Sequence, residues 1–297
     1  MCKYSLLLYL LLFCIQKDVF SQLLHNNDLK FTKGTYASPP LLSNGTIDYP
    51  KLIEQLKDIH ANTYHWLASG KNSDINALKE FLPLVQAADI HVWVTLLPPS
   101  ESPPLSKNFS EPFQLDYVKW ATELAQLSLI YKNLVAWSID DFPYNLKIFT
   151  PVYVKQFTDA AKAINPAFAF VPCCYYKMIT KDFVAKYEDL FDGVLFPYRN
   201  ESLVANLKDA AQVPFEIEHI RSLFTKPVLI FLDVYATAHS TLGSSTPQYV
   251  QAVIEAGLKS ADGIFIYCHQ NPERLPDKYE VIKKEFKRKF KQRHSVK

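Results

Sequence analysis

Short apolar runs alternate with amphipathic stretches along almost the whole chain. The apolar runs fall at 33–36, 61–66, 91–97, 134–140, 167–172, 193–197, 227–233 and 263–268. Most are continuous rather than alternating, the pattern of parallel strands covered on both faces. Helical patterns fill the intervals at 48–59, 74–88, 116–131, 151–164, 180–190, 203–211, 247–260 and 279–290. In 74–88 the apolar positions Ile75, Leu78, Leu82 and Val85 recur at helical spacing, and Asp or Thr at several starts suits an N-cap. Eight strand–helix units predict an α/β fold, a single (β/α)8 TIM barrel. A doubly wound open sheet is the competitor, but no Gly-rich phosphate loop follows the first strand, and the chain holds seven glycines in all. With no repeat and no low-complexity linker, residues 22–297 read as one barrel domain. The Pro-rich stretch 98–104 is a long loop after the third strand, on the face where a barrel keeps its site.

Composition narrows the class. The chain is 48% hydrophobic and 21% charged with a net charge of +2, ordinary globular values. Basic residues concentrate only in 283–297, which reads as the solvated face of a last helix, so a nucleic-acid partner is not expected. Residues 1–21 read as a signal peptide: Lys3, an apolar stretch over 6–15, and Val19-Phe20-Ser21 before the cleavage point. That stretch is short for a membrane span, and no second one follows, so a secreted or periplasmic protein is expected. Cys173, Cys174 and Cys268 remain after cleavage, as buried thiols or with one of the pair bridged to Cys268. Sequons begin at Asn44, Asn108 and Asn200.

The apolar run 134–139 stops on Asp140 and Asp141. Burying a lone carboxylate is costly, and two adjacent ones raise each other's proton affinity, which offers an acid beside a base. The plain alternative is a solvated turn. The other strand ends carry Tyr36, His65, Trp66, Thr95, Tyr175, Tyr176, Tyr198, Arg199, Asp233, Tyr235, Tyr267 and His269, whereas the opposite ends carry ordinary turn residues. Aromatic faces interspersed with hydrogen-bonding groups suit sugar rings. A carbohydrate substrate is therefore expected, with Tyr36, His65, Trp66, Tyr175, Tyr198, Asp233, Tyr235 and His269 positioning it and Asp140 and Asp141 doing the chemistry.

No strand ends on Glu, so the usual retaining pair of glutamates is missing; Asp141 with Asp233 is the alternative acid and nucleophile. A metal-dependent hydrolase would draw on His65, Asp140, Asp233 and His269, but no His-x-His or His-Glu-x-x-His spacing supports it. No metal or cofactor is expected. A serine hydrolase lacks its Gly-x-Ser-x-Gly elbow. A barrel that binds glycans without cleaving them remains a distinct reading of the same rim.

The string Ser138-Ile139-Asp140-Asp141-Phe142 at the fourth strand's end resembles the Asp-Asp element of glycoside hydrolase family 84, the β-N-acetylglucosaminidases and hyaluronidase-like enzymes on (β/α)8 barrels. The resemblance implies that Asp140 orients the substrate's 2-acetamido group, whose oxygen attacks the anomeric carbon, and that Asp141 is the general acid and then base. The family's Gly-rich first-strand element is replaced here by Gly34-Thr35-Tyr36-Ala37-Ser38, and its Asn-rich later loops have no clear counterpart.

Overall fold

The computed structural model describes residues 29–70, 73–267 and 272–291. Apart from short 3-10 turns and a small antiparallel hairpin of Ala238–His239 with Gly243–Ser244, strands and helices alternate: β1 (Thr32–Tyr36), α1 (Tyr49–Asp58), β2 (Thr63–Ala68), α2 (Ile75–Gln86), β3 (His91–Leu96), α3 (Tyr117–Ile130), β4 (Leu134–Ile139), α4 (Pro151–Ile164). The second half adds β5 (Ala169–Phe170), α5 (Lys181–Tyr187), β6 (Gly193–Pro197), α6 (Val213–Leu223), β7 (Leu229–Tyr235), α7 (Pro247–Ser260), β8 (Gly263–Tyr267) and α8 (Pro276–Phe286). All eight strands are parallel, in the order β5-β4-β3-β2-β1-β8-β7-β6. A parallel bridge between Cys173 and Leu195 joins the two ends, with Cys174 N donating to Leu195 O at 2.8 Å. The sheet therefore closes into a (β/α)8 barrel.

The caps follow from the sequence. Asp48, Asp74, Asp116 and Thr180 accept hydrogen bonds from backbone N–H groups of the first turns of α1, α2, α3 and α5. At the end of the barrel opposite the mouth, Asp192 accepts from Phe170 N and Asp262 from Ile230 N, pinning strand starts. Inside the barrel, Trp93 lies 4.7 Å from the rings of both Phe231 and Phe265. Gly34 makes room for this packing, because a Cβ there would stand 2.3 Å from a Phe265 ring carbon.

Two elements differ from expectation. β5 covers two residues, because Pro172 interrupts the ladder before the Cys173 bridge resumes it. The helix expected at 203–211 is a series of turns, and the sixth helix lies at Val213–Leu223. Asn206 Oδ1 accepts from Lys208 N and Asp209 N, and Asp209 Oδ1 from Ala211 N, so polar side chains capture the donors a helix would use. Pro214 then sits in the first turn of α6, where its missing N–H costs nothing. Residues 1–21 and Cys268 lie outside the described residues; Cys173 and Cys174 are buried free thiols. Among the described residues no helix is long and apolar enough to cross a membrane.

Candidate active site

β4 ends against β3, with Asp140 N donating to Leu96 O at 3.1 Å. Asp141 then adopts φ 43°, ψ 34°, a left-handed conformation that Asp tolerates better than most residues. This turn starts the short 3-10 segment Phe142–Asn145, so the chain leaves the strand sharply and the two carboxylates take different partners. Tyr36, from β1 across the mouth, donates its hydroxyl to Asp140 Oδ2 at 2.7 Å. Tyr175, beyond β5, donates to Asp141 Oδ1. Asp141 N donates to Asp140 Oδ1 at 3.0 Å, and the Cys173 thiol donates to Asp140 as well.

These donors oppose a larger effect. Burial and then the Asp141 charge raise the proton affinity of Asp140, while the bonds from Tyr36, Asp141 N and Cys173 lower it. Asp233, on the inner face of β7, is 3% exposed, and its Oδ1 has no hydrogen-bond partner. Burial, reinforced by Asp140, pushes Asp233 well up toward the neutral acid. The Cys173 thiol is pushed up by burial and then by Asp140 and Asp233, so it stays a neutral donor. The hydroxyls of Tyr36, Tyr175 and Tyr235 are raised mainly by burial, and those of Tyr36 and Tyr175 act as donors to the aspartates.

The walls are aromatic and polar. Tyr36 lies 5.4 Å from Tyr267, which lies 5.2 Å from Tyr235. The Arg199 guanidinium stacks on Tyr175 at 4.2 Å, pairs with Glu201, and places Nη1 at 3.3 Å from His239. Tyr144, 56% exposed, extends this line outward with its ring 5.4 Å from Tyr175. His65 forms part of the floor. It is fully buried beside Tyr36, Trp93 and Phe265, bonded to Thr95 Oγ1, and burial pulls its pKa down to about 3, so it is a neutral imidazole.

Of the residues expected to position a sugar, the structure gathers Tyr36, Tyr175, Asp233 and Tyr235 around the Asp140–Asp141 pair, with His65 beneath Tyr36. His269 lies outside the described residues. Trp66 and Tyr198 are elsewhere. Trp66 faces α2, its ring 5.2 Å from Phe81 and its Nε1 donating to Ser73 O at 3.1 Å. Tyr198 faces the helices as well, donating its hydroxyl to Asp209 O at 2.9 Å and stacking on Tyr249 of α7. Successive strand residues alternate between barrel and helix faces, and these two hold the outward parity.

Sequence reasoning passed over Glu101. It lies in the 3-10 turn Pro99–Glu101 after β3, inside the loop already assigned to the mouth. Burial, then Asp140 and Asp141, raise its carboxyl to about 7. No local motif marks it; its place in that loop was the available signal. Among the described residues no group of three His, Cys, Asp or Glu is arranged to hold a metal ion.

No protein-family model and no curated protein sequence matches the chain. Solved structures do. A β-glucuronidase from an uncultured Clostridium sp. aligns with TM-score 0.60 at 13% identity, over 86% of this chain and 50% of that one. A family 39 glycoside hydrolase from Bacteroides cellulosilyticus WH2 gives 0.56 at 11% identity, over 87% of this chain and 64% of that one. The catalytic core of xylanase A gives 0.54 at 12%, over 88% and 99%. The chain thus spans half to two thirds of the first two proteins and nearly all of the third. None of the three is described as a family 84 enzyme. What this chain shares with them at such low identity is the barrel fold that these glycoside hydrolases use.

Proposed function

We propose that the chain is an exported, glycoside hydrolase-like enzyme acting on a carbohydrate in the mouth of the barrel. The observation that carries the reading is the Asp140–Asp141 pair, each member held by its own tyrosine hydroxyl at the strand ends where barrels place their chemistry. The export signal rests on the sequence of residues 1–21.

The finer reading is substrate-assisted cleavage of an N-acetylhexosamine-containing glycan. Asp140 orients the 2-acetamido group, and the acetamido oxygen bonds to the anomeric carbon as the glycosidic bond breaks. Asp141 gives a proton to the leaving oxygen and later takes one from the water that opens the intermediate. The near-complete burial of Asp233 and its shift toward the neutral acid argue against it as an enzyme nucleophile, which favours a nucleophile supplied by the substrate. The same feature also favours the second reading, a barrel that binds glycans without turnover.

The test is hydrolysis of aryl N-acetyl-β-glucosaminide, N-acetyl-β-galactosaminide, glucoside and galactoside by wild type and Asp141→Asn. Turnover confined to the N-acetyl sugars, lowered about 100-fold or more in the variant, supports the mechanism. Glycan binding without turnover in wild type establishes the second reading instead.

A further inference from the structure

Beside Asp233 on β7, three further carboxyl groups come together at the mouth, and only two of them come from the end of β4. The Pro99–Glu101 turn is stapled to the turn that carries Asp141. Ser100 N donates to Asn145 Oδ1 at 3.0 Å, and Asn145 Nδ2 donates both to Ser100 Oγ and to Asp141 O, each at 2.9 Å. Asn145 is thus one clasp holding both turns. It fixes the backbone of Glu101 beside the pair, and the Glu101 carboxyl has no hydrogen-bond or ion-pair partner among the described residues.

Among the described residues, the ionisable groups facing Glu101 are Asp140 and Asp141 from the end of β4 and Tyr36 from β1, and none of them is cationic. Arg199 is engaged on the other wall with Glu201 and Tyr175. So placed, and with no cation facing it among the described residues, the Glu101 carboxyl retains its proton to higher pH than it would alone.

We propose that Glu101 is the third member of the acid/base unit, sharing with Asp140 and Asp141 the proton that the leaving oxygen receives. This rests on the hydrolase reading above. In the first step the shared proton moves to the glycosidic oxygen as its bond to the anomeric carbon breaks and the acetamido oxygen bonds to that carbon. Water then forms the new bond to the anomeric carbon, the acetamido oxygen leaves, and the proton released by water returns to the three carboxyls. Glu101 acts through the pair, by keeping the unit loaded near neutral pH. It agrees with the raised proton affinity that burial and the two aspartates give it.

The experiment is the kcat/KM profile from pH 4 to 9 on the aryl N-acetyl-β-glucosaminide for wild type, Glu101→Gln and Glu101→Asp, with thermal unfolding as the folding control. Glu101→Gln should lose activity increasingly with pH, about twofold at pH 5 and about tenfold or more at pH 7.5, moving the basic limb down. Glu101→Asp should restore most of it. A superimposable profile, or an equal loss at every pH, overturns the proposal while leaving the hydrolase reading intact. Silence of wild type on the whole panel overturns the reading and the proposal together. A titration of 13C-carboxyl-labelled glutamates gives a second readout. One resonance should titrate near pH 7 and be missing from Glu101→Gln; its absence from wild type refutes the assignment.

Discussion

Tyr36→Phe is the most informative single substitution, because it removes one oxygen and leaves the ring packing in place. The hydroxyl donates to Asp140 Oδ2 at 2.7 Å, from a side chain 8% exposed, and the ring keeps its neighbours His65 and Tyr267. A hydrogen bond to an ionised partner contributes about 1.5–3 kcal/mol to stability, and one to a neutral partner about 0.5–1.5 kcal/mol. The cost of the substitution therefore depends on the charge of Asp140. Burial and Asp141 raise the Asp140 pKa, so toward the acid end, where the carboxyl is protonated, the loss should be about 1 kcal/mol. Where it is ionised, toward the alkaline end, the loss should approach about 2–3 kcal/mol. The sign follows from linkage. The hydroxyl lowers the Asp140 pKa, so without it the acid form persists to higher pH, and stability falls more steeply as pH rises. Urea unfolding of both proteins from pH 4 to 8 measures this without needing a substrate. A difference that stays constant with pH would refute the claim that Tyr36 acts on the charged form of Asp140.

Two other substitutions test the assignment of faces and of buried charge. Trp66→Phe should destabilise by about 1–2 kcal/mol through the lost bond to Ser73 O and the smaller ring, while leaving the affinity for any glycan unchanged; calorimetric unfolding beside a binding isotherm checks both. Asp233→Asn removes a group whose raised pKa confers stability that is fully present below the ordinary aspartate range and is lost as pH rises through its folded value. The stability of that variant should vary less between pH 4 and 8 than that of wild type, which denaturation midpoints across the range would show.

The chain itself dictated the count and order of the eight strand–helix units, because parallel strands covered on both faces are written as local apolar runs and helix caps as local polar residues. It also placed Asp140 and Asp141 at a strand end, since charge stops an apolar run abruptly. Which aromatic residues line the mouth was decided only in three dimensions. A strand apolar on both faces does not mark which parity points inward, so Tyr36 and Trp66 look alike in sequence, yet one meets Asp140 and the other meets α2. The helix expected at 203–211 was lost to side-chain competition for backbone donors, a balance that composition and periodicity do not settle. Glu101 was invisible for a third reason. Its proton affinity comes from burial and from two carboxylates about 40 positions away, brought near by the Ser100–Asn145 clasp. Local pattern sets which elements form. Closure of the barrel sets which charges meet, because electrostatic energy depends on distance in space rather than along the chain.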